Sequence, residues 1–403
     1  MHKHYDFTCC CLVSTFSNIF QWLVDWLPRL GKLLIKAVKH INVTSLAFQS
    51  EIIARLFVLL ALLLYGLSTQ TVLAQKQTYK WRLAMSWPEG TPMLHNAAAR
   101  FARNVEVMSG GRFSITVDAP GRHKAPLSIL DMVRSGAYEM GHSASYYYKG
   151  KDPATTFFTT TPFGMNPTEM NAWYYYGGGL ELLNKVYVRH NVVAFPAGNT
   201  HIQMGGWFKK EIKSVQDLKG LKIRMPGHAG EVVGRAGMNP ISIPPGELYT
   251  ALERGTIDAV EWVGPANDVK MGFHKIAPYY YTGWHEPGAE LHVFINKQQF
   301  DALPEDLKKI IAIAAKEVSF DMLSESFYRN AIAWEEMKKQ NNIKIRTLPE
   351  DVLTLFKKAN DELLDEVAEQ SQLAMEVIAS QREFLEKAKD WSSITDADYL
   401  RLR

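Results

Sequence analysis

The chain has 403 residues, enough for two domains or one large one at roughly 100–200 residues per domain. About half of it is apolar (47%), and the net charge is only +3. That charge comes from one end, where Lys3, Arg29, Lys32, Lys36, Lys39 and Arg55 outweigh Asp6, Asp25 and Glu51; beyond residue 75 the chain is neutral with no basic run, which argues against nucleic acid as a partner.

All three cysteines, Cys9, Cys10 and Cys11, lie near the start. The segment Ile19–Ile41 is amphipathic, with Trp22, Trp26 and several lysines, and reads either as a membrane-associated helix or as sequence upstream of a later start near Val43 or Leu46. Arg55 then precedes an unbroken apolar run, Leu56–Leu64, and Val72-Leu73-Ala74 supplies a small-residue cleavage pattern. A positive flank, a short apolar core and such a site are the parts of a secretory signal, cut after Ala74. The run falls short of the roughly 20 residues of a membrane span. An uncleaved anchor is the alternative. Downstream of the cut no cysteine remains, so disulfides, thiol nucleophiles and thiolate metal sites are excluded there, and the chain suits an oxidising compartment.

After the signal, Gln77–Ser86 reads as a strand, Leu94–Ser109 as a helix with apolar residues at Leu94, Ala98, Phe101, Val105 and Met108, and Phe113–Val117 as a second strand. A helix over Ala125–Ser135 and a strand over Tyr138–Tyr146 follow. This alternation predicts a parallel sheet covered by helices. It restarts with strands over His201–Trp207 and up to Arg224, a helix over Gly230–Ala236, a strand Ile241–Ile243, a helix Pro245–Arg254 and a strand Ala259–Val263. Two α/β units in one chain predict two lobes with a ligand cleft between them. Leu291–Ile295 is a strand leading back to the first lobe, and Glu305–Met337 and Asp351–Ala388 are long helices. The expected division is 1–75 as extension and signal, 76–201 with 290–329 as lobe I, 202–289 with 330–350 as lobe II, and 351–388 as a helix that either straps both lobes or seals a dimer.

Arg224 ends a strand just before Met-Pro-Gly, and its planar guanidinium fits a carboxylate bidentately. Taken alone, it reads more readily as a surface or interlobe salt bridge, because most arginines are surface residues. Loops at the carboxyl ends of strands line the cleft of open α/β sheets, which draws attention to Tyr146, Tyr147 and Tyr148. Asn199, at a strand entry, is either a cleft residue or a turn residue. The many histidines form no close-spaced metal set, and Gly177-Gly178-Gly179 is not followed by Lys-Ser/Thr, so it is no P-loop. His285, beside Glu286, is the histidine nearest the candidate site.

Four stretches together resemble the TRAP transporter solute receptor family: Met140–Gly150, Phe157–Gly164, Ser214–Gly227 and Leu248–Pro265. The similarity spans about residues 78–390. Glu261-Trp262-Val-Gly-Pro265 with Gly283-Trp-His-Glu286 is similar to the branch that binds 2-oxoacids or lactate with a metal ion. The resemblance implies an α/β, two-lobed fold of the periplasmic binding protein kind with long C-terminal helices, and a non-catalytic, periplasmic subunit working with TRAP membrane subunits. It further implies that Arg224 grips the substrate carboxylate, with Tyr146, Tyr147, Asn199, Gln203 and Trp262 around the ligand. Gln203, Glu261 and Glu286 side chains and the Trp262 carbonyl would hold Na⁺ or Ca²⁺, hard cations that suit oxygen donors. A homodimer through the C-terminal helix is implied as well. The enzymatic alternative is a metal-assisted lyase acting on 2-oxoacids, with Glu261, Glu286 and a cation polarising a carbonyl; no Gly-x-Ser-x-Gly elbow is present to support a serine hydrolase.

Overall fold

The computed structural model describes residues 77–403, together with Lys32, Arg55 and Val58. The apolar run, the cleavage pattern after Ala74 and the amphipathic segment lie outside the described residues. Among the described residues no helix is long and apolar enough to cross a membrane.

The first unit runs β1 (Tyr79–Met85), α1 (Leu94–Met108), β2 (Phe113–Asp118), α2 (Ile129–Arg134), β3 (Met140–Ala144), α3 (Pro167–Tyr176), α4 (Gly179–Tyr187) and β4 (Val192–Asn199). The second runs β5 (Gly206–Phe208), β6 (Lys222–Arg224), α5 (Gly227–Arg235), β7 (Asn239–Ile241), α6 (Leu248–Glu253), β8 (Ala259–Val260), α7 (Pro265–Met271) and β9 (Tyr279–Tyr281). The chain then continues through β10 (Glu290–Asn296), α8 (Lys297–Asp301), α9 (Glu305–Lys338), β11 (Lys344–Arg346), α10 (Glu350–Gln370), α11 (Gln372–Ile394) and α12 (Asp396–Leu402). Two sheets result, ordered β2-β1-β3-β10-β4 and β11-β9-β5-β8-β6-β7.

Neither sheet is purely parallel. β1 pairs parallel with β2 and β3, but β10 inserts antiparallel between β3 and β4. Likewise β6 is parallel to β7 and β8, whereas β5 runs antiparallel to β8 and β9. Each antiparallel strand arrives from the other sheet, a connection that the local strand–helix alternation does not reveal. Three segments cross between the sheets: β4 to β5, β9 to β10, and α9 to β11.

Several predicted elements are shorter than expected or broken. The strand expected over His201–Trp207 begins only at Gly206, because residues 200–205 form a crossover in which His201 has a φ of 62°. The strand expected to reach Val263 stops at Val260, where the Val263 and Gly264 amides turn to donate to Asp268 Oδ1. The single helix expected over Asp351–Ala388 breaks at Ser371, which leaves the helical region (φ −143°, ψ 113°) and caps the next helix by accepting from the Ala374 amide. α1 keeps its expected apolar spacing, burying Leu94, Ala98, Phe101 and Val105, while Met108 is exposed.

β10 is buried along its whole length and carries Glu290, His292 and Asn296 into the interior. Two buried histidines, His142 and His292, are fully bonded. His142 accepts from Trp87 Nε1 at 2.9 Å and donates to the Ala197 carbonyl at 3.0 Å. His292 contacts Ser145 Oγ and the Tyr174 hydroxyl, each at 3.0 Å. Because Tyr174 gives its own proton to the Phe158 carbonyl, His292 Nε2 must be the donor to it. Burial lowers both imidazoles, to about 4 and about 3, so they are neutral.

Two interior carboxylates behave in the opposite sense. Burial lifts Asp268 from 3.8 to about 7 although Tyr280, Trp207 and the Val263 amide donate to it, and lifts Glu290 from 4.5 to about 7 although Ser319 and Asn199 donate to it. Between their ordinary values and about pH 7 the folded state therefore binds more protons than the unfolded one, so both groups make stability fall as pH rises through that window and add no slope above it. Thermal melts from pH 4.5 to 8 should show this decline. Asp268→Asn should flatten it and cost about 1–3 kcal/mol, since two of its donors then lack an acceptor.

Candidate functional site

Arg224 stands at the carboxyl end of β6, and Glu261 and Trp262 directly follow the parallel neighbour β8. Tyr146 and Tyr147 occupy a single 3₁₀ turn, Ser145–Tyr148, at the carboxyl end of β3 in the other sheet. Gln203 lies in the β4–β5 crossover, and His285 and Glu286 in the β9–β10 crossover. Strand ends from both sheets thus meet the two crossovers at one place, the position expected for a ligand in an open α/β fold.

The crossovers are locked backbone to backbone. The Gln203 amide donates to the Glu286 carbonyl at 3.0 Å, and the Gly205 amide to the Tyr281 carbonyl at 2.8 Å. This approach needs a glycine at 283: a Cβ there would lie 1.9 Å from the Gln203 carbonyl oxygen. On the other wall, Gly227 opens α5 with a φ of +68° and packs against Tyr146.

Arg224 and Glu261 are each 99% buried, by exposures of 1%. Arg224 Nη1 donates to the Glu261 carbonyl oxygen at 2.6 Å and to its Oε2 at 2.7 Å. Nη2 lies 3.5 Å from the Tyr147 hydroxyl, and Cζ sits 5.4 Å from the centre of the Trp262 ring. Nε has no partner. Burial alone would lower the guanidinium, but Glu261 and its other neighbours hold it above the ordinary arginine value. Burial, and then repulsion from Glu261, drives Glu286 well above the usual carboxylate range, with Arg224 acting the other way. Tyr146 is likewise raised by burial and by Glu286, and Tyr147 by burial against the pull of Arg224, so both are neutral hydroxyls.

Gln203 donates its amide Nε2–H to Thr200 Oγ1 at 2.9 Å, which leaves Oε1 buried without a partner. Glu261 Oε1 and Glu286 Oε2 are also buried without a hydrogen-bond donor. Three orphaned acceptor oxygens call for a cation, because leaving each bare costs roughly 1–3 kcal/mol. Donor atoms of Glu261, His285 and Glu286 all lie within 4.8 Å of one another. The donor chemistry therefore fits a hard cation, with Gln203, Glu261 and Glu286 as its side-chain oxygens.

The structure brings together Arg224, Tyr147, Glu261, Trp262, Gln203 and Glu286, and Tyr146 packs edge-on against Tyr147 at 4.8 Å. Asn199 is placed differently. Its Nδ2 donates to Glu290 at 2.9 Å and its Oδ1 accepts from the His201 amide at 2.8 Å, so its side chain is committed to the crossover. Among the described residues no hydrogen bond joins it to Arg224, Glu261 or Glu286. Thr200 went unnoticed in the sequence: it accepts from Gln203 and so decides which end of that amide is free. A threonine five residues before a crossover glycine has no signature of its own. His285 was flagged only by adjacency to Glu286, yet it is fully buried with both ring nitrogens unpartnered.

Comparison with known proteins follows the same direction. Residues 83–371 match the model of the bacterial extracellular solute-binding protein family 7. The monocarboxylate 2-oxoacid-binding periplasmic protein of Nostoc sp. strain PCC 7120 is 40% identical over 333 residues, covering 82% of this chain and 91% of that protein. A TRAP periplasmic solute-binding protein from Pseudoalteromonas atlantica T6c, solved with bound sodium and pyruvate, is 49% identical with a TM-score of 0.79, covering 81% of this chain and 99% of that one. Its counterpart from Colwellia psychrerythraea, solved with bound calcium and pyruvate, is 49% identical with a TM-score of 0.80, covering 81% of this chain and all (100%) of the other.

Proposed function

The chain belongs to family 7 of the bacterial extracellular solute-binding proteins, and from that premise we propose that it is the periplasmic receptor of a TRAP transporter, capturing a small monocarboxylate together with Na⁺ or Ca²⁺. Pyruvate or another 2-oxoacid is the ligand of choice, lactate the close variant. The observation that carries this reading is the free edge of Arg224. Glu261 occupies only Nη1, and Nη2 has only a long 3.5 Å contact to the Tyr147 hydroxyl, so Nε and the second Nη2 N–H can receive a planar carboxylate bidentately. Beside that edge the Tyr146 and Tyr147 hydroxyls, kept neutral by burial, can donate to the keto or hydroxyl oxygen. Gln203, Glu261, Glu286 and the Trp262 carbonyl would hold the cation. When bound, it offsets the repulsion between the ligand carboxylate and the two glutamates. Asn199 supports the crossover through Glu290.

Lobe I is assigned to 76–201 with 290–329 and lobe II to 202–289 with 330–350, the ligand lying between them. Contacts that join the two sides support a closing cleft: Lys149 pairs with Glu231 of α5, and Phe157 packs edge-on against His228 at 5.7 Å. Export by a signal cut after Ala74 delivers the receptor to the periplasm. The receptor itself performs no chemistry, and its partner is the membrane part of the transporter.

The dimer element is assigned further along the chain than 351–388. Phe356, Leu363, Val367, Val377 and Ile378 are buried within the chain itself, so α10 and the first half of α11 act as a strap. Trp391, Ile394, Tyr399, Leu400 and Leu402 are exposed, and a groove of about 940 Å³ lined by Phe163, Met165, Met170, Leu364, Ile378 and Leu385 lies beside α11. A second copy's terminal helices suit that groove, and such a contact is symmetric.

Three measurements test this reading. Arg224→Ala should abolish measurable pyruvate binding, because truncating one partner of a buried charge pair costs roughly 2–5 kcal/mol; Arg224→Lys should keep a remnant, and wild-type affinity in the alanine variant would refute the clamp. Calorimetry after chelation and sodium removal should show pyruvate binding lost and restored by either cation, with pyruvate recovered unconverted; unchanged affinity without ions would exclude the cation, and turnover would make the protein an enzyme. Light scattering should give a dimer that Trp391→Asp with Leu402→Asp converts to monomer, and a strictly monomeric wild type at high concentration would remove the dimer.

A further inference from the structure

Resting on the cation-binding reading above, we infer that His285 is the positioning residue of the cation site: it acts through Glu261, as an N–H donor that fixes the free end of that carboxylate. The two ends of the Glu261 carboxylate meet different groups. Oε2 is bonded to Arg224 Nη1 at 2.7 Å, and Oε1 lies 3.5 Å from His285 Nε2. No other donor reaches Oε1, and both ring nitrogens of His285 lack hydrogen-bond partners although the residue is fully buried. A short movement of either side chain closes the contact to hydrogen-bond length. With Nε2–H directed at Oε1, the ring then holds that oxygen while leaving a lone pair on it for the cation.

The ring is well anchored for this task. Trp284 packs against Phe356 at 4.4 Å and Phe163 at 5.7 Å, and its carbonyl accepts from the Phe163 amide. Gly283 abuts the Gln203 backbone, and the Glu286 carbonyl accepts from the Gln203 amide. The residues on both sides of His285 are thereby fixed, and the imidazole has little freedom to point elsewhere. The contrast with His142 and His292 is chemical: those rings use both nitrogens to satisfy core groups, and His285 uses neither. Losing a group that orients a metal-binding carboxylate or imidazole typically weakens metal binding about 10–100-fold.

The test uses calcium chloride and pyruvate as probes on wild type, His285→Leu, His285→Phe and His285→Gln. The apolar variants should raise the Ca²⁺ dissociation constant about 10–100-fold. His285→Gln, whose amide N–H can take the place of Nε2–H, should stay close to wild type. Melting temperatures in chelated buffer separate this from a packing role, and the glutamine variant should match wild type there too. Two outcomes overturn the role of His285 alone: apolar variants that bind Ca²⁺ like wild type, or a glutamine variant as weak as the apolar ones. A wild type that binds pyruvate but no cation would overturn the cation reading first and this inference with it.

Discussion

The arrangement depends on one buried ion pair. Arg224 and Glu261 bring two full charges out of water, and the attraction between them repays that desolvation only when geometry is good and remaining hydrogen bonds are made. Here the guanidinium reaches the carboxylate and the carbonyl of the same residue, while the Glu261 amide donates back to the Arg224 carbonyl at 3.2 Å. The pair therefore ties the end of β6 to the end of β8. The geometry is incomplete on one side by design of the fold: Arg224 Nε and Glu261 Oε1 stay bare. A buried pair with one open edge on each partner is a poor structural bridge and a good receptor, because an anion and a cation can each complete it.

The site and the crossovers use the same backbone. Gln203, His285 and Glu286 belong to the segments that carry the chain between sheets, and those segments hold each other by amide–carbonyl bonds. Any relative motion of the two sheets must pass through these residues. Ligand and cation bound at that point would contact both sides at once, so binding energy and closure are coupled by position. α9 crosses the same divide, with its first half buried against the β4 side by Ile311, Ala315 and Val318.

Two sets of interior polar groups contrast. His142, His292, Asp268 and Glu290 have their bonding capacity used by neighbours in the core, and they specify how strands and helices sit. Gln203 Oε1, Trp262 Nε1, Glu286 Oε2 and both nitrogens of His285 are left open in one region. Since nearly all buried polar groups are satisfied in folded proteins, a local concentration of open ones marks where something else binds.

The α/β class, the two units and the helical C-terminus were legible in the sequence, because periodicity and turn residues act over a few neighbours. Arg224, Glu261, Trp262 and Glu286 were singled out through family resemblance, and the fold brings them to one buried place. Sequence did not disclose the antiparallel insertion of β10 and β5, since a strand's partners are set by packing across the whole chain. It did not disclose the break at Ser371, where nothing but one backbone conformation interrupts a helical pattern. Asn199 reads in the sequence as either a cleft or a turn residue, and its amide meets Glu290, 91 positions away. Thr200 and His285 carry no motif; their roles arise only where two crossovers meet, because a hydrogen-bond partner's identity depends on distance in space and not on spacing along the chain.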